Sequence, residues 1–281
     1  MPELPEVESI KLQLNRFIVG HKIEEIIVNY PKIFVGDVKN IRGAKIEGIR
    51  RFAKVLSIDL SNNYSLVVQI KLTGQLIYRG PNLKSSSGLS IKVIGGIPGK
   101  HTHIIFKLDK GGILYYNDVR KFGRVMVVKR KDVEKTGLIG KLGPEALKDL
   151  NLEEFREIIS NSKKPIKIIL MDQEKMAGIG NIYANDALWL AKVSPQRIAN
   201  TLLLDEQNTL FEAIEKVLKE GIKKGGASEL AFVTPDGGEG KYQDFTLVYG
   251  REDEPCKACS TPIKKIKLGG RGTYFCPVCQ L

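Results

Sequence analysis

Met1-Pro2-Glu3-Leu4-Pro5-Glu6-Val7-Glu8 opens the chain, with two prolines set among acids in front of an apolar repeat. Val7, Ile10, Leu14 and Phe17 recur at three- and four-residue steps, which predicts an amphipathic helix from Glu6 to Phe17. Prolines and acids both suit the first turn of such a helix, where N–H groups lack partners and the dipole is positive. The same stretch has a chemical reading. If Met1 is removed, which a small second residue permits, Pro2 carries a secondary amine. A free α-amino group titrates at about 7.7–8.0, so a fraction is unprotonated near neutrality and nucleophilic. Glu3 then lies beside it as a proton donor or acceptor, and the helix fixes where the amine points.

Beyond this helix the pattern changes to short β-rich runs, from IEEIIVNY at Ile23 through FAKVLSIDL, NYSLVVQIK, LSIKVI, THIIFKLD and GILYYND to RVMVVKR ending at Arg130. Asn62-Asn63 and Lys110-Gly111-Gly112 read as hairpin turns between neighbouring runs. Seven or more antiparallel strands imply a sandwich or a flattened barrel. After Lys131 the texture is helical. A linker across residues 131–145 leads to a helix from Leu152 with Asn151 as its cap and Glu154 three positions on. Ala177-Gly178-Ile179-Gly180-Asn181 opens a further helix over Ile182 to Leu190, and glycines at a helix start leave N–H groups for a phosphate, with Asn181 as cap or contact. A long helix over Asp205 to Lys219 buries one apolar stripe. A glycine-rich segment follows from Gly221 to Phe245 and reads as a mobile loop of the kind that covers ligands.

The chain has 281 residues and 42% hydrophobic content, enough for two ordinary cores. Lys and Arg outnumber Asp and Glu by 44 to 32, a net charge of +12 that points to a polyanionic partner such as nucleic acid. No run approaches the ~18 apolar residues of a spanning helix, and acids stand where a signal peptide has basic residues, so an intracellular, cytoplasmic protein is expected. All four cysteines fall near the end as Cys256-x2-Cys259 and Cys276-x2-Cys279. Two such pairs supply four thiolates for one tetrahedral zinc ion, and a site closed by four sulfurs is structural. Lys257, Lys264, Lys265, Lys267 and Arg271 lie between the first and last cysteine with no acid among them, which suits phosphate contact.

PELPEVE at the start, RRFAK at Arg50–Lys54, DVRKFGR at Asp118–Arg124, MDQ followed by AGIGNIYANDAL, and the terminal finger with GGRGTYFCPVC come in the order and at the separations of the formamidopyrimidine-DNA glycosylases. The chain resembles that family of bacterial base-excision repair enzymes over essentially its whole length. The resemblance implies an α+β fold: an N-terminal antiparallel β-sandwich with a flanking helix, then a helical helix-two-turn-helix domain with a four-cysteine zinc-finger hairpin. Expected boundaries are 1–130 for the catalytic domain, 131–224 for the helical DNA-binding domain, 225–244 for a lesion-recognition loop and 245–281 for the finger.

By resemblance, Pro2 is the nucleophile at the deoxyribose C1′ and Glu3 the acid that opens the sugar. Lys54 is the proton-transfer lysine of strand cleavage, and Arg271 grips the phosphate beside the lesion. A damaged nucleotide must leave the helix to reach such a site, and something must fill the gap. Arg120 and Phe122 match two of the family's void-filling residues, Phe as wedge and Arg as partner of the orphaned cytosine. The third departs from the pattern, with Leu72 where the family has methionine and Gln69 where it has histidine. Leucine is an apolar wedge of similar volume but less adaptable. His101 matches a DNA-contacting histidine; Lys163, Lys164 or Lys167, together with Asn181, are expected to hold phosphate. The implied partner is double-stranded DNA carrying oxidised bases, the implied cofactor one structural zinc, and the expected state a monomer. The endonuclease VIII type, which acts on oxidised pyrimidines, typically starts PEGPE; Leu4 argues against it. A DNA-binding homologue without catalysis has no use for Pro2, Glu3, Lys54 and Arg271 together.

Overall fold

The computed structural model describes residues 2–83 and 88–281, so Met1 lies outside the described residues. Two compact units result, Met1–Gly140 with Lys224–Gln243, and Lys141–Lys223 with Asp244–Leu281.

The first unit begins with α1 (Leu4–Ile18), whose residues Val7, Ile10, Leu14, Phe17 and Ile18 are buried on one face. The strands are β1 (Ile23–Val28), β2 (Phe34–Val35), β3 (Ile46–Phe52), β4 (Val55–Leu60), β5 (Tyr64–Gln69), β6 (Gly74–Arg79), β7 (Thr102–Leu108), β8 (Ile113–Asp118) and β9 (Arg124–Lys129). They form a four-stranded sheet in the order β1-β7-β8-β6 and a five-stranded sheet in the order β2-β9-β5-β4-β3. Every pairing is antiparallel except β2 with β9. Alternate residues of the central strands build the core of the sandwich, although these strands are buried on both faces. Leu56 and Ile58, Leu66 and Val68 from one sheet join Leu76 and Tyr78, Ile104 and Phe106, Leu114 and Tyr116 from the other in a single core, which α1 completes. Phe17 of α1 stacks on Tyr78 with ring centroids 5.2 Å apart.

Three strand expectations change. The run through Phe52 to Leu60 is broken by a two-residue hairpin at Ala53-Lys54, because Phe52 pairs with Val55. Ala53 takes a left-handed φ of 50° that its residue type does not advertise. LSIKVI at Leu89–Ile94 forms no strand; Ile91 is 94% exposed and the Ser90 N–H bonds Gly237 O instead of a ladder partner. In its place β6 pairs with β8 along Gly74–Arg79.

The second unit holds α2 (Leu152–Ser160), α3 (Ile166–Met171), α4 (Asn181–Leu190), α5 (Leu204–Lys223) and the hairpin β10 (Lys264–Leu268) with β11 (Arg271–Phe275). Asn151 and Glu154 form the expected reciprocal cap on α2. Ile182 to Leu188 of α4 are buried, so this helix is the unit's centre. α5 crosses it where Gly221 faces the Tyr183 ring, and a Cβ there would overlap that ring. No helix among the described residues is long and apolar enough to cross a membrane.

Candidate active site and zinc finger

Pro2 is buried and directly precedes Glu3, the N-cap of α1. Glu3 is 3% exposed and joined to Glu6 in a reciprocal cap, the Glu3 carboxylate accepting from the Glu6 N–H while Glu6 Oε2 accepts from the Glu3 N–H at 2.6 Å. Glu6 is itself buried, and its other oxygen accepts from the Ala227 N–H at 2.7 Å. One carboxylate thus ties the acid beside Pro2 to the glycine-rich segment. In the sequence Glu6 stands out only as a helix start, although its capping-box spacing from Glu3 marks the tie.

Lys54 sits at the tip of the β3–β4 hairpin rather than along a strand. The hairpin is anchored to α1 through Arg51, whose Nε donates to Glu8 Oε2 at 2.5 Å and whose Nη1 donates to Ala53 O at 3.2 Å. Burial raises the Glu8 carboxyl, but the bonds from Arg51 and Lys11 outweigh it and leave it below the usual range, so the anchor is ionic at neutral pH.

Leu72, and Arg120 with Phe122, the residues expected to fill the gap, lie on two loops that share one organiser. Asp118 Oδ1 accepts from Thr73 Oγ1 at 2.5 Å and from the Arg120 N–H at 3.2 Å, and Asp118 Oδ2 accepts from the Gly123 N–H at 2.8 Å. The Ile70–Gly74 turn bearing Leu72 is thereby tied to the loop bearing Arg120 and Phe122. The Arg120 guanidinium lies 4.7 Å from the Phe122 ring centroid, and Phe122 is 59% exposed. Tyr116 forms the floor. It is fully buried, its hydroxyl has no hydrogen-bond partner among the described residues, and a Cβ on either Gly74 or Gly123 would run into that oxygen. Gly123→Ala is therefore expected to displace both wedge loops and to slow removal of an extruded base about tenfold, on the scale of an overpacked core. Tyr116→Phe, which removes the clashing oxygen, should restore part of the rate in the double variant. Single-turnover excision by the two singles and the double decides it, and equal damage with and without Tyr116→Phe would overturn this account.

His101 is half-buried, with its carbonyl accepting from the Asp118 N–H at 3.0 Å. Burial, then the neighbouring Lys100, His103 and Lys121, holds its imidazole below the usual histidine range, so it is neutral near pH 7.

In the second unit Arg271 is exposed at the start of β11, beyond a two-residue turn whose Gly269 and Gly270 both have left-handed φ, 57° and 75°. It lines a small cleft with Lys167, Ile168, Met171, Asp172 and Leu268. The hairpin is clamped to α3 and α4. Lys167 Nζ donates to Gly272 O at 3.0 Å and Thr273 Oγ1 at 2.7 Å, Asn181 Nδ2 donates to Gly272 O at 3.1 Å, and the Tyr274 N–H donates to Asn185 Oδ1 at 2.8 Å. Lys167 is only 1% exposed, so its position offers a hairpin anchor and not the phosphate grip expected of it; Lys163 and Lys164 remain exposed. Asn181 is likewise the first residue of α4 rather than its cap, which is Gly180. A buried lysine in an apolar helix carries no sequence mark that separates it from a surface one.

The four cysteine sulfurs lie within 4.8 Å of one another, with Cys259 and Cys276 Sγ 3.4 Å apart and Cys256 and Cys279 Sγ 3.9 Å apart. A tetrahedron with Zn–S bonds of about 2.3 Å has edges of about 3.8 Å, which these separations straddle. The surroundings split the four thiols, lowering Cys256 and Cys259 and raising Cys276 and Cys279. Burial raises the Cys256 thiol, but N–H donors from Ala258 and Cys259 and the Trp189 indole bring it down to about 6, whereas Cys279 is pushed up to about 12 by its cysteine neighbours. Four ionised sulfurs this close need a cation among them, and one structural zinc meets that need.

A β-sandwich with a capped N-terminal helix, a helical unit and a four-cysteine hairpin together define a DNA glycosylase of the helix-two-turn-helix type. Residues 1–125 match the formamidopyrimidine-DNA glycosylase N-terminal domain, 142–232 the H2TH domain of the same enzymes, and 253–281 the zinc finger found in FPG and IleRS. The chain belongs to the formamidopyrimidine-DNA glycosylase family, and it is a DNA-repair glycosylase with that family's associated lyase chemistry. It is 39% identical over 286 residues to the formamidopyrimidine-DNA glycosylase of Listeria monocytogenes, covering 100% of both chains. Among solved structures it is similar to the MutM (Fpg) protein of Thermus thermophilus, with a TM-score of 0.87 and 34% identity over 99% of this chain and 98% of that one. It is equally similar to the Lactococcus lactis Fpg in complex with DNA containing N7-benzyl-Fapy-dG, with a TM-score of 0.87 and 36% identity over 99% of each chain.

Proposed function

We propose that this chain removes oxidised purines, 8-oxoguanine and formamidopyrimidines, from double-stranded DNA and then nicks the strand, with Pro2 as the nucleophile. The observation that carries the reading is the reciprocal cap: Glu3, 3% exposed, is fixed by Glu6 immediately after a buried Pro2. An acid held out of water beside an amine is poised to donate a proton as the sugar ring opens. The Pro2 nitrogen attacks C1′ and the base leaves; ring opening, with Glu3 protonating the sugar oxygen, gives a cationic iminium. That cation acidifies the C2′ protons. Loss of one, with Lys54 as the proton-transfer group, expels the 3′ phosphate, and a second elimination expels the 5′ phosphate, assisted by Arg271. A guanidinium suits this work because it meets a tetrahedral phosphate through two parallel N–H donors.

Leu72, Arg120 and Phe122 fill the space left by the extruded nucleotide, and His101, Lys163 and Asn181 hold phosphates. Residues 1–130 carry the chemistry, 131–224 and the finger at 245–281 bind the duplex, and 225–244 receives the base. The enzyme works as a monomer in a bacterial-type cytoplasm, on the nucleoid.

The test is borohydride trapping on a duplex with one 8-oxoguanine opposite cytosine, followed by peptide mapping. A cross-link on Pro2 is expected. A cross-link formed only with an oxidised-pyrimidine duplex would move the specificity to the sister type, and none with either, from protein shown to begin at Pro2 and to bind DNA, would leave a binding-only role.

A further inference from the structure

The connection from β6 to β7, which flank β8 in the four-stranded sheet, runs from Gly80 to His101, longer than most links between strands of a compact domain. Its second half lies against the glycine-rich segment of the same unit. The Ser90 N–H donates to Gly237 O at 2.8 Å and Ser90 Oγ donates to Glu239 Oε1 at 2.5 Å. Lys92 Nζ donates to Ser228 O at 2.6 Å and pairs with Glu239 Oε2. One ammonium therefore bridges the two ends of the stretch from Ser228 to Glu239. Gln75 on β6 braces both partners, its Nε2 donating to Lys92 O at 2.9 Å and to Ala231 O at 2.8 Å. Gly237 has a φ of 87°, and a side chain there would meet Arg79 and Leu89, so its bareness lets the two segments close on each other.

We propose that residues 88–93 are a strap that holds the 226–240 loop in its base-receiving shape before DNA arrives, with Lys92, Ser90 and Glu239 as positioning residues for base excision. The proposal rests on reading that loop as the one that receives the extruded base. The physical case is preorganisation. A loop with glycines at 226, 237, 238 and 240 has many conformations to lose, and a cation joining its two ends removes much of that freedom in advance. The Glu239 carboxyl lies below the usual carboxylate range because of its bonds to Lys92 and Ser90, so the latch is ionic at neutral pH. None of the three residues belongs to the proposed catalytic set, so chemistry at an already vacant sugar needs none of them.

Two duplexes separate these roles, one with 8-oxoguanine opposite cytosine and one with a preformed abasic site opposite cytosine. For Lys92→Met and Glu239→Gln, single-turnover release of 8-oxoguanine should fall about tenfold, while nicking of the abasic site stays within about twofold. The double variant should be no worse than either single, and the exchanged pair Lys92→Glu with Glu239→Lys should recover part of the loss. Hydrogen exchange in residues 226–240 of the DNA-free protein should rise in both single variants. Equal losses on the two duplexes, or unchanged exchange, would overturn the strap. A wild-type protein that nicks the abasic duplex but never releases 8-oxoguanine would overturn the substrate reading instead, and exchange alone would then decide the strap.

Discussion

Pro2→Leu protein is expected to give no borohydride cross-link and to lose both base release and strand nicking by at least about a thousandfold, while binding an abasic-analogue duplex within about threefold. A bulky second residue blocks removal of Met1, so the chain then ends in a primary amine about 3.8 Å, one residue, away from where the Pro2 nitrogen stands. Reacting atoms need to approach to roughly 3–3.5 Å, and a displacement of about 1 Å already costs on the order of a hundredfold. Folding should survive, because α1 is capped by Glu3 and Glu6 and packed through Val7, Ile10 and Leu14, none of which depends on position 2. The wild-type rate should rise with pH towards about 8, as a free α-amino group loses its proton. Trapping, single-turnover kinetics and circular dichroism on the same preparations check all three points. An undiminished cross-link mapped to Lys54 would transfer the nucleophile's role to the β3–β4 turn.

What the sequence made legible follows from how local each signal is. The cysteine pairs, the Asn151 cap, the α1 stripe and the turns at Asn63 and Lys110 each rest on neighbours in the chain, and the structure has them where expected. The Ala53-Lys54 hairpin was hidden because neither residue is a turn former; Arg51, reaching from β3 to Glu8, supports it from outside. Leu89–Ile94 read as a strand because its residues suit one, but its polar groups are answered by Ser228, Gly237 and Glu239, far along the chain. The same holds for the residues proposed to act. Pro2, Glu3 and Arg271 could be picked out by motif, whereas the second oxygen of Glu6 on Ala227, the Thr73–Asp118 tie and, in the other unit, the Lys167 anchor are tertiary contacts between residues with no distinguishing composition.

Removing zinc should have the second large effect, and its character follows from how small the finger's own core is. Its two strands are five residues each, and its core is Val248, Ile263, Cys256 and Cys276 with Trp189 and Tyr274 against them. A lone two-stranded hairpin is marginal in water, whereas structural zinc contributes on the order of 10 kcal/mol or more of folding free energy. Metal-free protein should therefore lose the β10–β11 hairpin and with it the placement of Arg271, while Lys167 and Asn181 lose their bonds to Gly272 O. Pro2, Glu3 and Lys54 belong to the other compact unit, which has its own core. Duplex affinity should fall at least about a hundredfold, as several phosphate contacts go together. At saturating protein, however, a preformed abasic site should still be cut, with products shifted from double elimination to the first elimination alone. Cys276→Ser should reproduce this more fully than Cys259→Ser, since Cys276 is completely buried in the finger core and Cys259 is exposed. Zinc stoichiometry, the product ratio on a gel and the protein's β-sheet signal on chelation test the argument together. Full double elimination by metal-free protein would show that Arg271 is held, or replaced, by something other than the finger.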